Sequence, residues 1–116
     1  MSTEIAIGSL ERSVRTFAKS LEKLGLKTEV SVHRSGRVAY DLERSYVELE
    51  VTGLYLDRDS EELEASSTVR FLSGGYGSLT EDFGRRIGGT DGWRAMKAQG
   101  LTRIMGDLTA QGWVKP

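Results

Sequence analysis

One histidine, no cysteine and seventeen carboxylates give this chain few routes to chemistry. The cysteine count rules out a disulfide framework, a thiolate nucleophile and a thiolate metal site. His33 is the single imidazole. It falls on the outward side of an alternating run, near a turn, with no second histidine to share a metal. With no GxSxG elbow, covalent catalysis would fall to Ser or Thr activated by Asp, Glu or Lys, and no spacing singles out such a pair. Asp57-Arg58-Asp59-Ser60-Glu61-Glu62 carries carboxylates at the first, third and fifth positions of a calcium loop. Glu62, however, stands where that loop needs Gly, and Thr68 where it needs a bidentate Glu. The segment reads as a polar hairpin tip. No catalytic residue, metal ligand or cofactor is expected.

Anion recognition is the remaining chemical theme. Ser73-Gly74-Gly75-Tyr76-Gly77-Ser78 follows a strand-like run and precedes a helical one, where backbone N–H groups can cradle phosphate. It lacks the GK(S/T) ending of a P-loop and the spacing of a dinucleotide fingerprint, and it follows a meander rather than a parallel βαβ unit. The loop Gly74, Gly75, Tyr76 and Gly77 is therefore an interaction-loop candidate, with Arg85 or Arg86 as an anion clamp. Further along, Arg94, Lys97 and Arg103 offer phosphate contacts for nucleic acid; equally, they suit a solvated helix face.

The elements that must position these residues show in the apolar spacing. Ser9 is a helix N-cap, and Leu10, Val14, Phe17, Leu21 and Leu24 recur at spacings of four and three, so a helix is predicted over 9–24. Glu11, Arg12, Arg15, Lys19, Glu22 and Lys23 fall on its wet side, Gly25 is its stop, and Met1 to Gly8 reads as an extended lead-in.

Residues 28–72 alternate with period two and predict a four-stranded antiparallel meander. Its runs are 28–34, 38–42, 46–51 with 54–56, and 62–72. A three-residue loop Arg34-Ser35-Gly36 would pair Val32 with Val38 and Val30 with Tyr40, keeping both apolar sets on one face. After Val51 the apolar phase shifts to Leu54 and Leu56, which predicts a β-bulge at Gly53. Leu63, Ala65, Val69 and Phe71 are expected inward.

Beyond the Gly-rich loop 73–78, a capping box Ser78-Leu79-Thr80-Glu81 predicts a short helix from Leu79 to about Ile87. Gly88-Gly89-Thr90-Asp91-Gly92 reads as a hinge, and Thr90 or Asp91 caps a helix that starts near Trp93. Trp93, Met96, Leu101, Ile104, Met105 and Leu108 carry helical spacing, and Gly100 either splits this stretch or is a close-packing point. Gly112 is the final stop, with Trp113 folding back on the last turn, and both tryptophans read as core anchors. The pair of segments about Gly100-Leu101-Thr102 is similar, loosely, to a helix-turn-helix, and Leu101 to Val114 resembles the recognition-helix end of winged-helix regulators. The pattern departs at Gly106, where an apolar residue belongs, so no family is assigned.

The fold class expected is α+β in a single domain spanning 1–116: an N-terminal helix, a four-stranded meander and two or three C-terminal helices over 79–112, all helices on one sheet face. Charge is asymmetric: residues 1–83 hold 10 basic and 15 acidic side chains, residues 84–116 hold 6 and 2. The outer sheet face collects Glu29, Asp41, Glu43, Glu48, Glu50, Glu62 and Glu64, relieved by His33 and Arg70. Alternation alone explains charged outward residues; the sharper reading is a docking face for a basic partner. The expectation is a non-enzymatic macromolecule-binding module that works through this face and the basic C-terminal third, with another protein as partner. A homodimer, a nucleic-acid contact and a small-molecule or phosphate site at Gly74–Gly77 are the alternatives. With no leader pattern and no apolar run near the roughly 20 residues of a membrane span, a soluble, cytoplasmic protein is expected.

Overall fold

The computed structural model describes residues 7–33, 46–72 and 89–116. In chain order these form helix α1 (Ile7–Glu22), strands β1 (Lys27–His33), β2 (Tyr46–Leu56) and β3 (Glu62–Leu72), and helix α2 (Gly89–Gln111). The strands make one antiparallel sheet in the order β1-β2-β3. Both helices lie on one face of it, α1 over β1 and β2, α2 along β3. The class is α+β, as expected, but with three strands and two helices among the described residues.

The stripe on α1 does what its spacing predicts: Leu10, Val14, Phe17 and Leu21 are buried, joined by Ala18. The helix begins at Ile7, so Ile7 and Gly8 are helical rather than extended. Ser9 sits in the first turn, where its Oγ accepts from Arg12 Nη2 at 3.2 Å. At the other end the N–H groups of Leu24 and Gly25 bond to the carbonyls of Leu21 and Glu22 at 2.9 and 3.0 Å. Gly25 then takes φ 84°, which costs a residue without Cβ little. The turn delivers Leu26, buried, to the start of β1.

The four-strand meander is corrected at its first pairing. Val30 pairs with Leu49 and Val32 with Val47, so β2 takes the place beside β1 that the meander assigns to 38–42. Period-two alternation identifies which face a strand buries; any neighbour of matching parity satisfies it. The run 38–42 and its Arg34-Ser35-Gly36 loop lie outside the described residues.

The predicted bulge at Gly53 is also corrected. The β2–β3 register runs unbroken from Tyr46↔Leu72 to Leu56↔Glu62, with Gly53 opposite Ala65. Parity therefore never shifts: Val47, Leu49, Val51 and Gly53 face the helices, while Leu54 and Leu56 point outward, 42% and 66% exposed. Gly53 has a packing cause. A Cβ there would lie 2.6 Å from Trp113 Cδ1 and 2.8 Å from Leu26 Cδ2, so the indole seats directly on the strand backbone. On β3, Ala65, Val69 and Phe71 are buried as expected, whereas Leu63, towards the hairpin tip, is 38% exposed.

The β2–β3 turn is closed by Asp57. Its Oδ1 accepts from the N–H groups of Asp59 and Glu61 at 2.8 and 2.9 Å, and Ser60 adopts φ 61°. The carboxylate is thus spent on backbone, in the manner of an Asx-turn.

α2 is one helix of 23 residues that runs straight through Gly100 and Gly106. This corrects the expectation of two or three C-terminal helices, and the stretch Leu79 to Ile87 lies outside the described residues. Gly100 is a contact point: a Cβ on it would fall 2.8 Å from Phe71 Cζ. The likeness to a helix-turn-helix lapses, because no turn occurs at Gly100-Leu101-Thr102. Met96, Ile104 and Leu108 are buried, and Leu101 lies on the open side. Gly112 ends the helix at φ 119°, and Trp113 N–H returns to the Leu108 carbonyl at 3.0 Å. Trp113 is buried, the folded-back anchor its position predicts.

Three aromatic rings tie the layers together edge to face. Phe17 of α1 meets Phe71 of β3 and Trp93 of α2, each at 6.4 Å, and Phe71 meets Trp93 at 5.3 Å. Two polar ties fix α2 along β3. The buried Ser67 Oγ donates to Asp107 Oδ2 at 2.7 Å. The Gln111 side-chain amide bonds both backbone groups of Ser66, accepting from N–H at 2.9 Å and donating to C=O at 2.7 Å.

Candidate functional site

Because both helices occupy one face, the other face of the sheet carries the even residues of β2 and β3 and the odd residues of β1. Lys27, Glu29, Ser31 and His33 stand beside Tyr46, Glu48, Glu50, Thr52, Leu54 and Leu56, and these beside Glu62, Glu64, Ser66, Thr68 and Arg70. Five carboxylates face two fixed cations. Arg70 shares Glu48 with His33, each 3.8 Å from Glu48 Oε2. Glu29, Glu50, Glu62 and Glu64 have no ion-pair partner among the described residues, and Glu29 stands directly across from Glu50. Like charges in that position repel.

One end of this face is a polar and aromatic cluster. The His33 ring stacks on Tyr46 at 4.7 Å, with 15° between planes, and the Arg70 guanidinium lies 5.3 Å from the Tyr46 centroid. Ser31 Oγ is 3.1 Å from His33 Nε2. Ser, His and Glu thus meet, but not as a catalytic triad. Ser31 and Glu48 converge on the same ring nitrogen, whereas a triad places the nucleophile and the orienting carboxylate on opposite nitrogens. In this surface cluster, stacking and a shared carboxylate hold the imidazole.

The flank between the helices holds a second feature, a cavity of about 300 Å³ lined by Arg12, Ser13, Thr16, Phe17, Ser20, Trp93 and Lys97. Arg12 and Lys97 put cations on it from opposite helices, and no carboxylate lines it among the described residues. Thr16 Oγ1 donates to the Arg12 carbonyl at 3.0 Å and Ser20 Oγ to the Phe17 carbonyl at 2.6 Å. Both hydroxyl protons are therefore used, and the oxygens remain as acceptors.

Of the basic residues singled out from the sequence, the three described ones, Arg94, Lys97 and Arg103, are not all on one side of α2. Lys97 faces α1 across the groove. Arg103 is on another side of α2, paired to Asp107 at 3.2 Å beside Ser67. Arg94 is exposed on the first half of the helix. Arg85, Arg86, Gly74, Gly75, Tyr76 and Gly77 lie outside the described residues, as do Asp41 and Glu43. Sequence reasoning missed Arg12 as a groove residue, since helical spacing alone placed it on the solvent side. The available signal was the hydroxyl row Ser13, Thr16 and Ser20 beside the apolar stripe, which leaves a helix flank too small to fill against a neighbour.

Comparison with protein-family models, curated proteins and solved structures finds no match. The chemistry on the two surfaces is therefore the basis for function. Among the described residues no three His, Asp or Glu side chains gather to hold a metal ion. No described helix is long and apolar enough to cross a membrane.

Proposed function

We propose that this chain is a non-enzymatic protein-binding module whose docking surface is the sheet face opposite α1 and α2, and that its partner presents Lys or Arg side chains. The observation that carries the reading is the Glu29–Glu50 pair. Two carboxylates directly opposite each other on neighbouring strands cost stability, and neither has an ion-pair partner among the described residues. A basic partner converts that repulsion into attraction. Glu62 and Glu64 extend the charge along β3, and Leu54 and Leu56 supply exposed apolar area next to them. Apolar contact flanked by complementary charge is how interfaces combine affinity with steering. The face is also preorganised, since a paired sheet loses little backbone freedom on binding.

The test is a capture experiment from native host extract at low and high salt, with the partner identified and then purified. Replacing Glu29, Glu50, Glu62 and Glu64 together by lysine should abolish capture while circular dichroism stays unchanged, and capture by the parent should weaken as salt screens the charges. Undiminished binding by the four-lysine variant would end the proposal. Nucleic acid is not favoured as partner, because Arg103 is neutralised by Asp107 and the remaining described cations of α2 are not gathered on one face with it.

A further inference from the structure

The groove between α1 and α2 lies on the opposite side of the sheet from the acidic face and has its own chemistry. We propose that it binds a small aromatic anion: one ring system bearing a phosphate or carboxylate and at least one N–H or O–H donor.

Each part of that description answers to a group in the groove. The anion follows from Arg12 and Lys97, which approach from different helices with no lining carboxylate among the described residues to neutralise them. Lys97 has no ion-pair partner among the described residues, and the Arg12 guanidinium makes one long bond, 3.2 Å, to a neutral serine oxygen. An anion seated between them would gain charge-assisted hydrogen bonds from both sides. The ring follows from the wall. Phe17 and Trp93 meet edge to face at 6.4 Å and 75°, and Trp93 is only part-buried, leaving aromatic surface open to the cavity. Aromatic guests pack against such surface in offset or edge-on geometry. The donor follows from Thr16 and Ser20. Their hydroxyls donate to helix carbonyls, which leaves their oxygens as acceptors for a ligand. Charge and hydroxyls thus select different ends of the same molecule. The volume, about 300 Å³, is at the small end of the range for small-molecule sites and fits one ring system.

The two tryptophans make the test direct. Trp93 lines the groove, whereas Trp113 is sealed against Gly53 and Leu26 and serves as an internal reference. The full chain, labelled with nitrogen-15, is titrated with adenosine monophosphate and with para-hydroxybenzoate while both indole N–H signals are followed. The expected result is a saturable shift of the Trp93 signal with Trp113 stationary for one or both probes. Which probe saturates tells whether the groove takes a nucleotide phosphate or a phenolic carboxylate. Arg12→Ala and Lys97→Ala, both at exposed positions that leave the core intact, should each weaken binding about fivefold or more. Adenosine and inorganic phosphate, each carrying half of the recognised chemistry, should bind more weakly than the monophosphate.

The proposal is overturned if neither probe saturates by about 10 mM, which marks the limit of useful affinity. It is overturned equally if Trp113 shifts as far as Trp93, if either alanine variant binds like the parent, or if adenosine matches its monophosphate. None of these results bears on the acidic face, whose variants keep Arg12 and Lys97.

Discussion

Replacing Gly53 by alanine tests whether a glycine in mid-strand serves the strand or its neighbour. The new Cβ would stand 2.6 Å from Trp113 Cδ1, 2.7 Å from Nε1 and 2.8 Å from Leu26 Cδ2. Ordinary carbon contacts lie near 3.5 Å, so the indole must retreat by roughly 0.8–1 Å. It has little room to do so, because Trp113 is buried and its backbone is tied back to the Leu108 carbonyl. Overpacking of this kind costs about 1–3 kcal/mol. Against it, alanine restrains the unfolded chain more than glycine does, a gain of about 0.5–1 kcal/mol. The net expectation is a loss of up to about 2.5 kcal/mol, read as a lower urea midpoint at unchanged slope. The decisive step is to repeat the substitution in a Trp113→Leu background. With the indole gone the methyl group has space, and Gly53→Ala should become neutral or stabilising, a coupling of about 1 kcal/mol or more between the two sites. An equal loss in both backgrounds would show that Gly53 is needed for its backbone freedom, and the close-packing account would fail.

Three further predictions follow from the same contacts. Glu50→Lys turns a repulsive cross-strand pair with Glu29 into an attractive one and should raise stability by about 0.2–1 kcal/mol; the gain should shrink as salt is added, and a gain independent of salt would refute the electrostatic cause. Gln111→Ala removes both bonds to the Ser66 backbone and should cost about 1 kcal/mol, with faster amide exchange at Ser66; unchanged exchange there would show that the amide tie is not protective. Gly112→Ala forces a Cβ onto φ 119° and to 2.6 Å from Tyr55 Cε2, so thermal unfolding should show a loss of about 1–3 kcal/mol; a variant as stable as the parent would count against this turn as the anchor of Trp113.

Much of this architecture is readable from residue spacing, and the exceptions share a cause. Leu10, Val14, Phe17 and Leu21 declare α1 because one helix face meets one uniform sheet face. Gly25 and Gly112 declare helix ends because a left-handed residue is a local requirement that no distant contact alters. Gly53 and Gly100 are opaque for the converse reason: each is small because a ring from another element, Trp113 or Phe71, lies on it. Local logic offers only a bulge or a break there. The phase shift read at Leu54 and Leu56 assumes that apolar means inward, yet both point away from the helices at the hairpin end of β2. Strand adjacency failed for a similar reason, since Val30 and Val32 suit Leu49 and Val47 as well as the nearer run. For the candidate sites, the acidic face was legible because parity sorts it, whereas the groove depends on Arg12 and Lys97 coming together across 85 positions of chain.

Gln111 presents to β3 the same donor and acceptor that a further strand would offer at Ser66, but it does so from the final residue of α2. Edge protection and helix integrity are therefore a single event. Fraying of the last helical turn would release the amide plug, loosen the Gly112 bend and lift the Trp113 lid from β2 together. The C-terminal turn thus couples cover of the β3 edge at Ser66 to the seat of Trp113 on β2.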